Sequence, residues 1–506
     1  MKTKNQKSAN EVEILTGRLR ELSYLSSAIS VLHWDQEVYM PKKGADARAS
    51  SISLLAGLVH TQFLNIDHDG LLSSLGKKLS AKKLQPHDAA IVRETVRSFE
   101  KASKLPETFV KEMAELTSKA QHVWVEARTK NNFALFAPYL EKIVAKKREE
   151  ATLLGYEVSP YDALLDTYEP GMTSAEIERI FTDLKEFLIP FITQIRKSSI
   201  GARPRTNTTS AQFPLEKQIA FNTEIAKAIG YDLDAGRIDV SAHPFTTDFH
   251  PHDVRITTRY NLKDPLESIF PTLHETGHAL YAQGLPHEHF GTPLAEAVSL
   301  GIHESQSRLW ENLVGRSLPF WKHWYPRLQK TFPKAFTSPL GAFYRSLCRV
   351  KATPIRVEAD EVTYNLHIII RFELEKALIE GAIEARDLPR LWNERYREYL
   401  GITPKDDAEG VLQDVHWSSG YIGYFPTYTL GNLYSAQLWN TVRKEIPDLD
   451  KRIAKGDLKT LREWLRVCIH RHGKYHSADD LILNITGEKL NPEHFSRYIR
   501  EKYSKS

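Results

Sequence analysis

Cysteine occurs only twice in 506 residues, at Cys348 and Cys468. Both lie in apolar stretches of helical periodicity, so a disulfide framework and a four-cysteine zinc site are excluded, and a reducing compartment fits. An excess of one charge is lacking too. Lys and Arg number 68 against 64 Asp and Glu, a net of +4 spread along the chain. That balance gives no argument for a nucleic-acid or anionic-membrane partner. No run approaches the roughly 18 uninterrupted apolar residues that cross a bilayer. The N-terminal stretch MKTKNQKSANEVEILTGRLREL has basic residues but no apolar core of the kind a secretory signal carries. A cytoplasmic protein without membrane or nucleic-acid partners is expected. Internal repeats and long low-complexity linkers are also missing. The one shift in composition, SSIGARPRTNTTSAQFP at residues 198–214, reads as a surface loop between helical halves rather than a domain boundary.

What is present is helical periodicity. It runs through EVEILTGRLRELSYLSSAISVLHWD, through TSAEIERIFTDLKEFLIPFITQIRK behind a Thr173 to Glu176 capping box, and through DLKTLREWLRVCIHRHG. At 41% hydrophobic, the chain can bury a large core. Strand signals are confined to Arg237 to Asn261, where β-branched and aromatic residues alternate with polar ones. The expected fold is mainly α with one small antiparallel sheet, whose edge a peptide could extend.

That sheet runs into FPTLHETGHALYAQG, Phe270 to Gly284. His274 and His278 are four apart, hence on one face of a helix and able to reach one ion. Glu275 stands about 100° around the helix from His274, placed to act on a water beside the ion without ligating it, the H-E-x-x-H division of labour. Asp264 as N-cap, Pro265 at the first position, Glu267, and Gly284 with Pro286 mark the ends. Pro271 is expected to bend the helix or delay its start to near Ser268.

A catalytic zinc needs a third protein ligand and one open position. The longer H-E-x-x-H-x-x-G-x-x-H pattern fails, because Tyr281 and Gly284 stand where its glycine and third histidine belong. A downstream carboxylate is needed: Glu288, Glu296, Glu304 or Glu311. Glu288 lies in the turn GLPHEHFGTP and reads as solvated. Glu304 is preferred, because His303, Ser305 and Gln306 make a polar patch between apolar turns that burial tolerates only when satisfied. Spacing alone leaves Glu296 close behind.

A set of further motifs surrounds this helix: HPF at His243 to Phe245, DVRIT at Asp253 to Thr257, HES at His303 to Ser305, IRVEAD at Ile355 to Asp360 and GVLQDVHW at Gly410 to Trp417. With WDQEVYMP and PYDALLDTYEPGMT, they make the chain resemble the family M32 metallocarboxypeptidases, of the carboxypeptidase Taq type. The resemblance implies one two-lobed helical domain over residues 1–506, with a deep groove and with N-terminal helices flanking it. It further implies a homodimer, zinc or cobalt as the metal, Glu304 as third ligand, and release of single residues from free peptide C-termini with broad specificity. HWSSGYIGYF is similar to a segment of angiotensin-converting-enzyme-like peptidases, which implies His416 and Tyr424, with Tyr421 nearby, as donors to the reacting carbonyl. Arg356 and Arg255 are the candidates to grip a C-terminal carboxylate, the alternative being structural pairing with Asp360 or Asp253. His243 either lines the groove or braces the sheet. IIIRFELE, Ile368 to Glu375, reads as a buried helix with an ion pair. Rival readings are a related endopeptidase or dipeptidyl carboxypeptidase, and a non-catalytic helical protein with a structural metal; the intact Glu275 argues against the last.

Overall fold

A computed structural model describes residues 4–197 and 212–504. Of the segment read as a surface loop, residues 198–211 lie outside the described residues.

Helices dominate, as expected. The first two, Lys4–Val38 and Ala45–Leu64, form a hairpin-like pair. With the following helices Leu71–Ser80 and Pro86–Lys104 they close over a small core of their own, including Val12, Leu15, Leu75 and Val92. The main apolar core is continuous from Ala120 to Tyr503 and draws on most of the remaining helices. Among the described residues, no helix is long and apolar enough to cross a membrane.

The sheet lies where alternation places it, as β1 (Gly236–Val240), β2 (Thr246–His250) and β3 (Asp253–Thr258). Its pairing corrects the expectation: β2 and β3 are antiparallel, but β1 runs parallel to β3 on its other edge. Two chain reversals separate β1 from β3, so the strands end up parallel; alternation fixes which face a side chain takes, not which edge a strand joins. Val254 and Ile256 of β3 pack with Tyr231 onto Ala279 and Ala282, whose small side chains let the sheet approach the helix bearing the H-E-x-x-H motif.

This histidine helix spans Leu266–Gly284. The Asp264 carboxylate accepts from Leu266 N at 2.9 Å, as a capping residue does. Pro271 neither delays nor divides the helix. The bond it removes is the one to the Glu267 carbonyl in the first turn, where the loss is tolerated better than mid-helix. On the far side of the sheet, the N-terminal helix is tied down by Ser27 Oγ donating to the Phe249 carbonyl (2.6 Å) and by the Arg255 guanidinium packed 4.3 Å from the Trp34 ring.

Candidate active site

His274 and His278 share a face of the histidine helix, with ring centroids 4.9 Å apart. Opposite them lies the glutamate helix, Leu300–Arg308, whose N-terminus is capped by the Ser299 hydroxyl accepting from Ile302 N (3.1 Å). Two glycines set how closely the backbones meet. A Cβ on Gly277, between the histidines, would come within 2.6 Å of Ser307 Cα; one on Gly431, in the helix Pro426–Glu445, would come within 2.5 Å of Glu304 Cγ. Glu304 is therefore held between two bare stretches of backbone.

Its carboxylate faces the imidazoles. Glu304 Oε2 is 3.3 Å from His278 Nε2 and 3.6 Å from His274 Nε2, and one donor atom from each of the three residues lies within 4.8 Å of the others. Arg308 Nε donates to the other oxygen, Oε1, at 2.6 Å. Burial opposes ionisation of Glu304, but Arg308 and the two imidazoles outweigh it and hold the carboxyl well below its usual range. His274 Nδ1 is engaged with Glu311 Oε2 (2.9 Å), which leaves Nε2 as the nitrogen facing Glu304. Glu311 is itself pushed down to about 2: burial raises it, and His274, Arg308 and Arg316 more than reverse that. It sits in a π-helical turn, Leu309–Val314, a local widening common at functional sites. The site fits a divalent metal: two imidazole nitrogens and one ionised oxygen converge in a buried setting, with the orienting partners that such ligands use.

Glu275 is buried beside this cluster, and Thr246 of β2 donates to its Oε2 at 2.7 Å. Sheet and helix thus meet at the carboxylate next to the metal donors.

Residues 414–428 supply the remaining polar groups. His416 Nε2 is 3.2 Å from the Tyr428 hydroxyl, and the Tyr424 ring lies 5.5 Å from His416 and 5.8 Å from Tyr421, stacked on the latter. Burial pushes His416 down to about 4, so its ring is neutral at ordinary pH. Burial and then the charge of Glu304 raise the Tyr424 phenol, which keeps its proton and places it within electrostatic reach of the ligand carboxylate. Tyr421 is exposed.

The arginines divide. Arg356 is buried, with Nε and Nη2 donating to Asp414 Oδ1 (3.0 and 2.8 Å) and Nη1 to the Tyr364 hydroxyl (3.0 Å). Its partner is Asp414, not Asp360, whose carboxylate instead accepts backbone N–H groups of Lys351, Val362 and Thr363. Arg371 donates to the other oxygen of Asp414 at 2.7 Å, so two guanidiniums share one carboxylate and a surplus positive charge remains beside His416. Arg255 is bonded at both ends of its fork to Asp253 (2.8 and 2.9 Å) and packed against Trp34 and Phe249, which is the structural alternative for this residue. His243 is exposed in the β1–β2 connection. Among the described residues, no hydrogen bond or ion pair joins His243, Asp253 or Arg255 to the histidine–glutamate cluster.

Sequence reasoning missed several partners. Glu311, a candidate ligand by position, faces Nδ1 of His274 instead of the point where the three donors converge. Arg308, Tyr364, Tyr428 and Thr246 belong to no recognised motif position, although Arg308 stands one turn beyond Glu304 and Tyr428 one turn beyond Tyr424. IIIRFELE is a buried helix with an ion pair, formed by Arg371 with Asp414, while Glu375 accepts from neutral donors.

A family model described as Carboxypeptidase Taq (M32) metallopeptidase matches residues 14–503. The chain belongs to this family. It is similar to thermostable carboxypeptidase 1 of Thermus thermophilus, 44% identical over 96% of each chain, and to carboxypeptidase 1 of Bacillus subtilis, 41% identical over 96% of each. The solved M32 carboxypeptidase of Deinococcus radiodurans has the same fold, with a TM-score of 0.94 at 38% identity over 98% of this chain and 99% of that one. The M32 chain is accordingly a metallocarboxypeptidase acting on peptides, and a metal belongs to its chemistry.

Proposed function

We propose that the chain is a zinc-dependent carboxypeptidase releasing single amino acids from free peptide C-termini with broad specificity, with Glu275 as general base. The observation that carries this reading is the convergence of His274, His278 and Glu304, with Glu275 buried alongside. Two nitrogens and one oxygen suit zinc, with cobalt able to replace it, and three protein donors leave room for water and substrate. When bound, the ion supplies Lewis acidity, polarising the scissile carbonyl and acidifying a water.

The chain's own residues do the rest. Glu275, oriented by Thr246, takes the proton of the attacking water and passes it to the leaving amine. The neutral His416 ring and the protonated Tyr424 phenol donate to the carbonyl oxygen as negative charge develops there. Arg356 receives the terminal carboxylate; the charge surplus that it and Arg371 hold over Asp414 supports an exopeptidase over an endopeptidase. Arg255, Asp253, Tyr421 and His243 border the path of the peptide rather than its reacting bond. The whole chain acts as one catalytic unit, a cytoplasmic homodimer. Exposed Leu54 and Leu58, on a helix in which no side chain is buried, support an interface there.

The test is a time course on one peptide with a free and with an amidated C-terminus, using the wild type, Glu275→Gln and chelator-treated protein. Stepwise trimming only by the metal-loaded wild type on the free peptide is expected. Undiminished cleavage of the amidated peptide, or trimming by Glu275→Gln, would overturn the reading.

A further inference from the structure

The helix Tyr364–Glu380 carries two buried charged side chains one turn apart, Arg371 and Glu375, and both reach the segment that bears His416 and Tyr424. Arg371 holds Asp414 at its start. Glu375 holds its middle and end: Oε1 accepts from the Trp417 indole N–H (2.8 Å), and Oε2 from Gly423 N (3.1 Å) and the Tyr161 hydroxyl (2.8 Å). The residues between turn sharply, with Gly420 and Gly423 at φ of +75° and +90°. A Cβ on Gly423 would come within 2.9 Å of Leu165 N. Turn hydrogen bonds close the start of this loop, as from Tyr421 N to the His416 carbonyl (2.9 Å), but the N–H at Gly423 is satisfied by a side chain from a neighbouring helix.

We propose that Glu375 is a positioning residue for the peptidase reaction, a buried clamp that holds the 416–424 loop in the conformation in which His416 and Tyr424 face the substrate carbonyl. The clamp rests on the donor roles given to those two residues above. Among the described residues, no cation pairs with Glu375 directly. Its three partners are neutral donors from two other segments, and the other groups that feel its charge are Arg371 on its own helix and Tyr168. Burial pushes the carboxyl up to about 7, against the lowering by Gly423, Trp417, Tyr161 and Arg371. Protonation consequently falls near neutral pH, and the protonated form is the poorer acceptor, so the loop loosens as pH falls through that value.

Glu375→Gln tests this, because an amide keeps the shape but replaces one acceptor by a donor. With NH2 at the Oε2 position Gly423 N–H loses its acceptor, and with NH2 at Oε1 the Trp417 indole loses its own. Two readouts are needed on metal-loaded protein. In amide exchange, the peptide spanning residues 417–424 should lose protection by about tenfold or more. On a free-C-terminus peptide, kcat should fall by about tenfold to a hundredfold with KM changed far less and metal content unaltered. Tyr161→Phe is the milder companion: it removes a hydrogen bond that lowers the Glu375 carboxyl, so the acid limb of kcat should move to higher pH, while in Glu375→Gln the fall near 7 should vanish and leave only the limb set by protonation of the general base Glu275. Unchanged exchange in Glu375→Gln, or an acid limb that stays in place in Tyr161→Phe, would overturn the clamp. Lost protection with unchanged kcat would overturn its part in catalysis, and with it the donor roles of His416 and Tyr424 rather than the metal site.

Discussion

Replacing Gly431 with alanine adds one methyl group to a helix that offers no charged side chain to the metal donors, yet it should weaken the metal site. The new carbon would stand 2.5 Å from Glu304 Cγ, 2.7 Å from its Cβ and 3.1 Å from its carbonyl carbon. Ordinary carbon contacts lie at about 3.5–4.0 Å, so either Glu304 or the helix Pro426–Glu445 must give by about 1 Å. Retreat of Glu304 is blocked behind, because Gly277 already brings the histidine helix against Ser307 and Gln306. Overpacking of this kind costs about 1–3 kcal/mol of stability. A displaced ligand carboxylate should lower metal affinity by about 10- to 100-fold, the scale seen when groups that orient ligands are lost. Competition with a fluorescent zinc chelator reads the affinity, and thermal unfolding of the metal-free protein reads the packing cost. Gly17→Ala is the control, since a Cβ there meets nothing within 4 Å and should stabilise its helix by up to about 1 kcal/mol. Wild-type metal affinity in Gly431→Ala would refute the claim that the two glycines fix Glu304.

Glu311→Ala should lower metal affinity by about 10- to 100-fold, because His274 Nδ1 loses its partner, and Glu311→Gln should cost less since the amide oxygen still accepts; equal affinities in all three proteins would remove Glu311 from the site. Glu169 supplies a pH test. It is buried where it accepts from Gly301 N at the start of the glutamate helix, and burial pushes its carboxyl up to about 8 against the hydrogen bonds from Ser299 and Gly301. An unfolded chain releases this proton near 4.5 while the folded one keeps it to about 8, so the group makes stability fall as pH rises through that window and level off above it. Across the window stability falls by about 1.4 kcal/mol for each step of one in pH, which amounts to a few kcal/mol in all. Glu169→Gln should therefore gain on the wild type steadily from pH 5 to pH 8 in denaturant unfolding; parallel profiles would contradict the assignment.

The fold and the candidate metal donors were legible because they rest on local rules. A four-residue spacing puts His274 and His278 on one face whatever the tertiary structure, and Asp264 caps its helix by an interaction two residues long. Glu304 could be preferred over Glu296 from its polar neighbours, and the structure shows the difference: Glu304 is buried between helices, whereas Glu296 is exposed and paired with Lys474. What escaped depends on contacts far apart in sequence. The structural alternative for Arg356 is a pair with nearby Asp360, but its partner lies 58 residues on, at Asp414. Tyr428 belongs to none of the motifs, and only the fold sets its hydroxyl 3.2 Å from His416 Nε2. The parallel pairing of β1 with β3 is likewise set by chain path, which alternation does not encode.

The most direct measurement is elemental analysis combined with anomalous scattering from crystals of the zinc-reconstituted protein. The account predicts one zinc ion per chain, located among His274 Nε2, His278 Nε2 and Glu304 Oε2, with Glu311 on the far side of the His274 ring. A fully reconstituted protein that holds no ion there, or holds one with Glu304 turned away from it, would contradict it.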